Sequence, residues 1–265
     1  MNKIDGKTTA LVTGASSGIG YELAGFLARD GHDLVLVARD KTRLDRLAED
    51  LRAQCGVTVR VIPKDLSIDS APGEIFDELK RDGVAIGVLV NNAGFDVYGN
   101  FSETDTDEER RMIQVNVVAL TRMTKLFLRG MKDRGYGRIL NVGSIASFIP
   151  TPLNAVYAAT KAYVRSFSLA VAEELEGSGV TVTVLCPGVT RTEFFKRANM
   201  EESRLLKFGM MDARTVAEAG YRAMMSGRRA VVPGLLNKLL VILTHVLPVK
   251  GMTKVTKILM KAGTP

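Results

Sequence analysis

The sequence predicts an α/β protein with a doubly wound parallel sheet that is covered by helices on both faces. Short runs rich in β-branched residues alternate with longer stretches whose apolar residues recur at helical spacing. This alternation favours strand–helix–strand units, and their right-handed crossovers place helices on both sides of a parallel sheet. The sequence shows no internal repeat and no linker, so we expect residues 1–265 to form a single domain.

The first half of the chain contains four strand–helix pairs. The last of these helices opens with an acidic turn, which suits the positive end of a helix dipole. The predicted strands are Thr8–Thr13, Asp33–Ala38, Val57–Pro63 and Val84–Asn91, and the predicted helices are Ile19–Asp30, Lys41–Cys55, Pro72–Asp82 and Thr106–Arg134.

The second half continues the alternation as far as Pro187. Beyond it lies a segment rich in Phe and Met, residues 193–211, and the chain closes with a basic helical extension, residues 235–262, divided near Pro248–Gly251. The predicted strands are Gly137–Ser144, Val180–Pro187 and Ala230–Val232, and the predicted helices are Asn154–Gly177 and Asp212–Gly227.

Positive charge is concentrated at the C-terminus. The formal net charge is +7, from 36 Lys and Arg against 29 Asp and Glu. Residues 226–265 hold seven basic residues and no acid, so the remaining 29 basic and 29 acidic residues of 1–225 sum to zero. Neither this distribution nor any motif indicates nucleic-acid binding.

Cysteine and histidine content excludes several classes of site. Cys55 and Cys186 are far apart, which excludes a disulfide framework and a cysteine-rich zinc site. His32 and His245 offer no metal-ligand spacing, so no metal is predicted, and a Ser-His-Asp hydrolase would have to use one of them. The N-terminus has no apolar signal segment, and the longest apolar stretch, Leu235–Val249, is too short and interrupted to span a bilayer. We therefore expect a cytoplasmic protein.

A glycine loop follows the first predicted strand. Gly14, Gly18 and Gly20 occupy the turn between that strand and the first helix. Glycine lets a pyrophosphate approach the backbone, and the helix N-terminus supplies N–H donors. An ordinary tight turn is the alternative, but the position after the first strand of a βαβ unit favours dinucleotide binding.

The end of the second strand indicates which dinucleotide is bound. Ala38 occupies the position where an acidic residue would accept both ribose hydroxyls of NAD, and Arg39 follows it. A guanidinium pairs well with a 2′-phosphate, which favours NADP(H). The alternatives are that Arg39 is a solvated charge, or that the neighbouring Asp40 opposes a phosphate.

Four polar residues further along form a catalytic pattern. Asn116 lies in the long helix, Ser144 at a strand end, and Tyr157 and Lys161 are four residues apart, so they share one face of a helix. Each has an ordinary structural alternative when taken alone, such as a half-buried tyrosine or a surface lysine.

With these residues in place, the sequence resembles the single-domain branch of the short-chain dehydrogenase/reductase family, which has a Rossmann fold. The resemblance covers residues 7–192 and rests on TGASSGIG, NNAG, Asn116, Ser144, YAATK and PGVTRT. It implies catalytic roles for Asn116, Ser144, Tyr157 and Lys161. It implies cofactor contacts for Gly14, Ser16, Ser17, Gly18, Ile19, Gly20, Arg39, Asp65, Leu66, Asn92, Ala93, Gly94, Tyr157, Lys161, Pro187, Gly188, Val189 and Thr192. NADP-preferring members often carry a basic residue where this chain has Ser17, so the preference rests mainly on Arg39.

The expected chemistry is NADP(H)-dependent interconversion of a carbonyl and an alcohol. A carbonyl that accepts a hydride needs a proton donor, and a tyrosine with its ordinary pKa of about 10 exchanges poorly near neutrality. We expect the ammonium of Lys161 to lower the pKa of Tyr157, and Ser144 to orient the carbonyl. In the family, the residue matching Asn116 holds a water that relays protons to the lysine.

The region around the expected site predicts an apolar small-molecule substrate. A cover rich in Met and Phe suggests an adaptable pocket. The alternative, which we expect for half of the residues named below, is that they pack into a core at the C-terminal end of the chain. The residues concerned are Phe194, Phe195, Met200, Leu205, Leu206, Phe208, Met210 and Met211 after the PG motif, and Ile145, Phe148, Ile149 and Leu153 between the serine and the tyrosine.

Other functions stay open at the level of sequence. The epimerase/dehydratase relatives share the Tyr-Lys pair, and a non-catalytic NADP(H)-binding protein could use the same fold. Lys250, Lys254, Lys257 and Lys261 fall on one face of a predicted helix. That helix either contacts an anionic membrane surface peripherally or docks its apolar side on the body. The resemblance also implies a homo-oligomer, a dimer or tetramer, paired through helices 106–134 and 154–177.

Overall fold

One parallel sheet organises the chain. The computed structural model describes residues 8–194, 198, 200 and 209–260. The sheet strands are β1 (Thr9–Thr13), β2 (Asp33–Ala38), β3 (Val59–Pro63), β4 (Ile86–Asn91), β5 (Gly137–Val142), β6 (Val180–Leu185) and β9 (Ala230–Val231), in the order β3-β2-β1-β4-β5-β6-β9. Two further short strands, β7 (Thr190–Arg191) and β8 (Met211–Asp212), pair in parallel outside this sheet.

Helices connect the strands and cover the sheet. They are α1 (Gly18–Arg29), α2 (Lys41–Cys55), α3 (Ala71–Arg81), α4 (Thr106–Ile113), α5 (Leu120–Asp133), α6 (Ala155–Glu174), α7 (Ala213–Met225), α8 (Leu235–Val246) and α9 (Val249–Met260). A π-helical segment, Gln114–Ala119, joins α4 to α5, and a 3₁₀ turn, Ile145–Phe148, follows β5.

The buried residues confirm that the sheet is covered on both faces. Successive strand residues point to opposite faces, and Leu11 belongs to one core cluster whereas Val12 belongs to another. The first cluster includes Leu79 of α3 and Met123 of α5, and the second includes Leu23 of α1. The predicted doubly wound α/β fold is therefore correct.

The strand order places a crevice between β1 and β4. The chain moves outward from β1 to β3 and then crosses to β4 on the other side of β1. The loops that leave the carboxyl ends of β1 and β4 therefore diverge, and ligands of open α/β sheets bind at such a point. The glycine loop and Asn92–Gly94 are those two loops.

The predicted long helix Thr106–Arg134 is continuous as far as Asp133, but it is not α-helical throughout. The α-helical pattern gives way to π-helical turns over Gln114–Ala119, centred on Asn116. The Asn116 side chain accepts a hydrogen bond from Phe95 N (3.2 Å) and donates one to Phe95 O (3.0 Å). Such π-bulges are frequent at functional sites, and this one turns a helix side chain toward the loop after β4.

Several predicted strands are too long by one or two residues. The structure begins β3 at Val59 and β4 at Ile86, and it ends β5 at Val142 and β6 at Leu185. The sequence prediction also missed β7 and β8, because two-residue strands carry no periodicity that could reveal them.

Candidate active site

The glycine loop is built on close backbone contacts. Gly14 and Gly18 have left-handed φ angles of 65° and 58°, which glycine adopts without strain. A Cβ atom on Gly20 would lie 2.4 Å from Gly14 O, so a side chain cannot fit there. Ser17 is the N-cap residue before α1, and its side chain makes no capping hydrogen bond, which leaves the first N–H groups of α1 open toward the loop.

Asn92 holds the two diverging loops together. Its side-chain amide donates to Thr13 O (3.0 Å) and Gly14 O (3.1 Å), and its backbone N–H donates to Thr13 Oγ1 (3.0 Å). The Ala93 N–H donates to the same hydroxyl at 3.1 Å. These bonds fix the glycine loop against the loop after β4, so both edges of the crevice are rigid before any ligand binds.

Ser144, Tyr157 and Lys161 meet at the carboxyl end of β5. Ser144 follows that strand and begins the 3₁₀ turn, where its hydroxyl accepts a hydrogen bond from Ala146 N (3.1 Å). Tyr157 and Lys161 lie on the first turns of α6, and both are buried. Lys161 Nζ donates to Val142 O at 2.9 Å and lies 5.7 Å from the centre of the Tyr157 ring.

Asn116 completes this group from the opposite side. A Cβ atom on Gly94 would lie 2.9 Å from Asn116 Oδ1 and 3.4 Å from Lys161 Nζ. Both polar groups therefore approach the same glycine of the NNAG segment. Asn116 also donates to Thr160 Oγ1 at 3.2 Å, which ties the π-helical segment to α6.

The electrostatics of the pair differ from the sequence-based expectation. Burial raises the pKa of Tyr157 well above its ordinary value, and the nearby Asp96 adds to this rise, whereas a hydrogen bond with Ser144 opposes it. Burial also lowers the pKa of Lys161 to about 8, although Cys186 and Asp96 act against it. The expected lowering of the Tyr157 pKa is absent because desolvation of the phenolate and the charge of Asp96 outweigh the hydrogen bond with Ser144. The protein alone therefore holds the phenol in its protonated, proton-donating form.

A cavity of about 330 Å³ joins the glycine loop to these polar residues. Most of the predicted site residues line it: Gly14, Ser16, Ser17, Gly18, Ile19, Asn92, Ala93, Gly94, Ser144, Tyr157, Lys161, Pro187, Gly188, Val189 and Thr192. The structure thus brings segments from five parts of the sequence to one crevice.

The other predicted residues lie outside the cavity wall. Gly20 packs under the glycine loop, and Asn116 stands behind Gly94. Leu66 is buried in the core cluster that contains Leu11. Arg39 is exposed at the end of β2, near Asp65. Although burial acts to raise the pKa of Asp65, the net shift is downward, because Ser67 donates hydrogen bonds to it and Arg39 and Arg111 lie nearby.

Asp40, which follows Arg39 in sequence, and Glu193 both have structural partners. Asp40 caps α2 by accepting a hydrogen bond from Arg43 N at 3.0 Å. The Arg43 guanidinium also pairs with Glu193, at 2.7 and 2.8 Å to its two oxygens. The alternative that Asp40 opposes a 2′-phosphate is weakened, because its carboxylate accepts a hydrogen bond from the first turn of α2.

The apolar part of the cavity combines predicted wall residues with residues of α8 and α9 that the sequence did not assign. Phe194 lies with its ring 5.6 Å from that of Tyr157, and Met200 and Ile149 add to the wall. Helices α8 and α9 form the rest, through Leu240, Val241, Thr244, Met252, Val255, Thr256, Leu259 and Met260. The amphipathic pattern of 249–260 was the available signal, but it did not show which surface the apolar side covers.

Some predicted wall residues face elsewhere. Ile145 and Ile149 line the cavity, but Phe148 instead packs under Arg165, whose guanidinium carbon lies 4.4 Å from the ring centre. Leu153 does not line the cavity, but it packs in one cluster with Met200 and Met260, which do. Met211 packs against the α1 side of the core. The predicted cover residues Phe195, Leu205, Leu206 and Phe208 lie outside the described residues.

Asp96 and Asn154 are cavity residues that sequence analysis missed. Both are buried, and Asn154 Nδ2 donates to Asp96 Oδ2 at 2.5 Å. Burial raises the pKa of Asp96 to about 7, against the lowering effects of Asn154, the Val97 N–H and Lys161. An acidic residue two positions after NNAG was the only signal, and nothing in the sequence placed it beside Asn154.

Comparison with known proteins identifies the family. The family model described as short chain dehydrogenase matches residues 8–203. Very-long-chain 3-oxoacyl-CoA reductase of Phaeosphaeria nodorum is 40% identical over 181 residues, which is 66% of this chain and 52% of that protein. The human protein of the same name is 36% identical over 193 residues, covering 71% of this chain and 61% of that one. The chain thus spans between half and two thirds of the length of these curated relatives.

Solved structures extend the similarity over nearly the whole chain. A short-chain dehydrogenase from Sphingobium yanoikuyae in complex with NADPH is 34% identical, with a TM-score of 0.81 and coverage of 93% of this chain and 95% of that one. The bulky-bulky ketone specific alcohol dehydrogenase from Comamonas testosteroni is 33% identical, with a TM-score of 0.77 and coverage of 93% and 94%. Taken with the geometry of Ser144, Tyr157 and Lys161, these similarities show that the chain belongs to the short-chain dehydrogenase/reductase family of oxidoreductases.

Proposed function

We propose that the protein is an NADP(H)-dependent reductase that converts a ketone on a bulky or long apolar substrate into a secondary alcohol. The observation that carries this proposal is the cavity itself. Ser144, Tyr157 and Lys161 stand at one end of it, and apolar side chains of α8, α9 and the segment after β7 form its other walls. A carbonyl can reach the polar end only if the rest of the substrate tolerates the apolar walls.

The cofactor assignment rests on the two loops at the crevice and on Arg39. The open N–H groups of α1 suit a pyrophosphate, and exposed Arg39 suits a 2′-phosphate. The solved Sphingobium relative is in complex with NADPH, which supports the same cofactor here. When bound, NADPH supplies the hydride.

The proton chemistry follows from the buried side chains. The protonated Tyr157 hydroxyl donates its proton to the oxygen of the substrate carbonyl as negative charge develops there. Ser144 donates a hydrogen bond that orients the same oxygen. Lys161, held by Val142 O, places a positive charge near the phenolate that remains. This charge offsets part of the cost of an ionised phenol in a buried site.

The names of the relatives narrow the substrate class. Curated relatives are named very-long-chain 3-oxoacyl-CoA reductase, and the Comamonas enzyme is specific for ketones with two bulky groups. Both descriptions involve a ketone flanked by large groups. The apolar cavity walls of this chain fit that common feature, and we propose it in preference to small or charged carbonyl compounds.

The test is a substrate panel with the purified full chain. Oxidation of NADPH and of NADH is followed with 3-oxoacyl thioesters of increasing chain length, bulky aryl ketones, and charged keto sugars. We expect NADPH-dependent turnover whose kcat/KM rises with apolar bulk. Preference for charged keto sugars would overturn the proposed substrate class, and lack of turnover with every compound would overturn the proposed activity.

A further inference from the structure

The outer faces of α8 and α9 carry most of the large apolar side chains that the described surface exposes. Ten of sixteen such side chains fall within residues 235–258, although these residues are a small part of the described chain. They are Leu235, Leu236, Leu239, Leu240, Ile242, Val246, Leu247, Val249, Val255 and Ile258, with exposed fractions between 43% and 83%. Large exposed apolar side chains concentrated on two consecutive helices mark a site for a membrane or a protein partner.

Charge on the same two helices is of one sign. Lys238 on α8 and Lys250, Lys254 and Lys257 on α9 are exposed among the apolar side chains. The sequence contains no Asp or Glu after Glu218. Lysines interspersed with exposed leucine, isoleucine and valine complement a surface that is negatively charged outside and apolar beneath.

The inner faces hold both helices against the body. On α8, the Asn237 side chain donates to Met211 Sδ at 3.5 Å, and it lies so close to Gly188 that a Cβ atom there would be 2.4 Å away. At the end of α9, the Tyr98 hydroxyl donates to Met260 O at 2.5 Å. The exposed apolar face is therefore the outer side of a docked pair of helices and does not belong to a detached tail.

The exposed face continues into the active-site cavity. Leu240 of α8 and Val255 of α9 both line the cavity, yet they are 45% and 50% exposed. These two residues therefore form part of its rim. An apolar molecule that left the exposed face at this rim would meet the apolar side chains of Leu240 and Val255 as it entered the cavity.

Each helix is 12 residues long, about 18 Å, and none of the helices in the described ranges is long and apolar enough to cross a bilayer. We propose that α8 and α9 lie in the interfacial region of an anionic lipid bilayer and direct the rim of the cavity toward the acyl chains. Membrane binding stands apart from the proposed function, whereas delivery of an apolar ketone from the bilayer rests on it.

A second copy of the chain fits the same face less well. A two-fold interface would bring the Lys-rich helices of both copies together. Neither copy has an acidic residue within 219–265 to pair with those lysines. The headgroups of an anionic bilayer provide negative charge for the lysines, and its acyl chains provide apolar contact for the exposed side chains.

The experiment is vesicle flotation of the full chain. Vesicles of phosphatidylcholine alone are compared with vesicles that contain about one third phosphatidylserine. We expect flotation with the anionic vesicles only, and loss of it in about 1 M salt. The charge variant is Lys250→Gln/Lys254→Gln/Lys257→Gln, and its matched control is Lys80→Gln/Lys125→Gln/Lys132→Gln.

We expect the charge variant to lose roughly 100-fold in vesicle affinity and the lysine control to lose little. The apolar variant Leu236→Gln/Ile242→Gln/Val246→Gln should lose affinity to a similar degree, in contrast to its control Ile68→Gln/Ile113→Gln. No flotation of the wild type, or equal losses in variants and controls, would overturn the proposal. So would a wild-type oligomer that the apolar variant converts to monomer, since a second copy would then cover the face.

Activity separates this proposal from the proposed function. None of the substituted side chains lines the cavity, so the variants should keep wild-type turnover of a water-soluble ketone without vesicles. Flotation without turnover would contradict the proposed function alone. Turnover without flotation would contradict the membrane proposal alone.

Discussion

Asn154 begins α6, yet its side chain donates to Asp96 across the cavity wall instead of capping the helix. The preceding Leu153 has a φ of 67°, a left-handed conformation that is costly for a bulky residue. The arrangement links a buried carboxyl to the first turn of the helix that carries Tyr157. Asp96 consequently affects both the stability of the site and its proton chemistry.

The first prediction concerns the stability of an Asp96→Asn variant. The carboxyl has a pKa near 4 in the unfolded chain and about 7 when folded, because burial disfavours its charge. The folded state then binds the proton more tightly, and stability falls as pH rises from about 4 to about 7. We expect the substitution to be more favourable at high than at low pH by up to about 4 kcal/mol, because the pKa differs by about three units and each unit is worth about 1.4 kcal/mol.

Urea unfolding at pH 4 and pH 8 measures this difference. Asp77→Asn, on the exposed side of α3, serves as the control and should show little dependence on pH. An Asp96→Asn effect that is the same at both pH values would contradict a buried carboxyl with a raised pKa.

The second prediction concerns the pH dependence of reduction. As pH rises through about 7, Asp96 becomes negatively charged. This charge raises the pKa of Tyr157, so the phenol gives up its proton less readily. The wild-type kcat for ketone reduction should therefore fall between about pH 6 and 8, and Asp96→Asn should remove this step. Loss of the Lys161 charge, with a pKa of about 8, should still lower the rate at higher pH.

The measurement is kcat against pH at saturating NADPH and ketone. Burial and Asp96 also raise the pKa of Tyr98, so Tyr98→Phe tests whether that phenol contributes. An unchanged step near pH 7 in the Asp96 variant would refute this assignment.

The third prediction tests the glycine loop. In Gly20→Ala the new Cβ would meet Gly14 O and the Asn92 amide, both at 2.4 Å, so backbone must move. We expect a loss of about 1 to 3 kcal/mol in stability and weaker NADPH binding. Gly73→Ala in α3, where the nearest atom is 3.9 Å away, should be neutral or stabilising. Thermal unfolding measures the stability of both variants, and NADPH titration measures their affinity for the cofactor. Equal stability and equal NADPH affinity in the two variants would contradict the close packing of the loop.

The fourth prediction tests the coenzyme preference. Arg39→Ala should lower kcat/KM for NADPH about 10- to 100-fold, because a charge-assisted hydrogen bond to the 2′-phosphate is lost. The value for NADH should hardly change. Arg46→Ala, on the exposed face of α2, is the control. If both coenzymes lost activity equally in the Arg39 variant, another residue would have to recognise the phosphate.

The alternation of strands and helices was sufficient to predict the sheet, because local periodicity reports directly which side chains are buried. It could not reveal the π-helical segment at Asn116, since Gln114–Ala119 is only six residues long and too short to show a period of its own. The family motifs predicted most of the site residues, and the structure brings these residues together at one crevice.

The parts that sequence could not predict depend on contacts between distant segments. Asp96 and Asn154 are 58 residues apart. The apolar side of α9 was visible in the sequence, but its position over the cavity was not. That position depends on contacts with distant loops: Asn237 of α8 packs against Gly188, and Met260 O of α9 accepts a hydrogen bond from Tyr98. The homo-oligomer stays a prediction.

The central claim is that Tyr157 is the proton donor of an NADPH-dependent reduction. The most direct measurement compares turnover and NADPH affinity in wild type and Tyr157→Phe, which removes only the hydroxyl. We expect the variant to lose at least about 100-fold in kcat while its Kd for NADPH stays close to that of the wild type. Appreciable NADPH-dependent ketone reduction by Tyr157→Phe would contradict it.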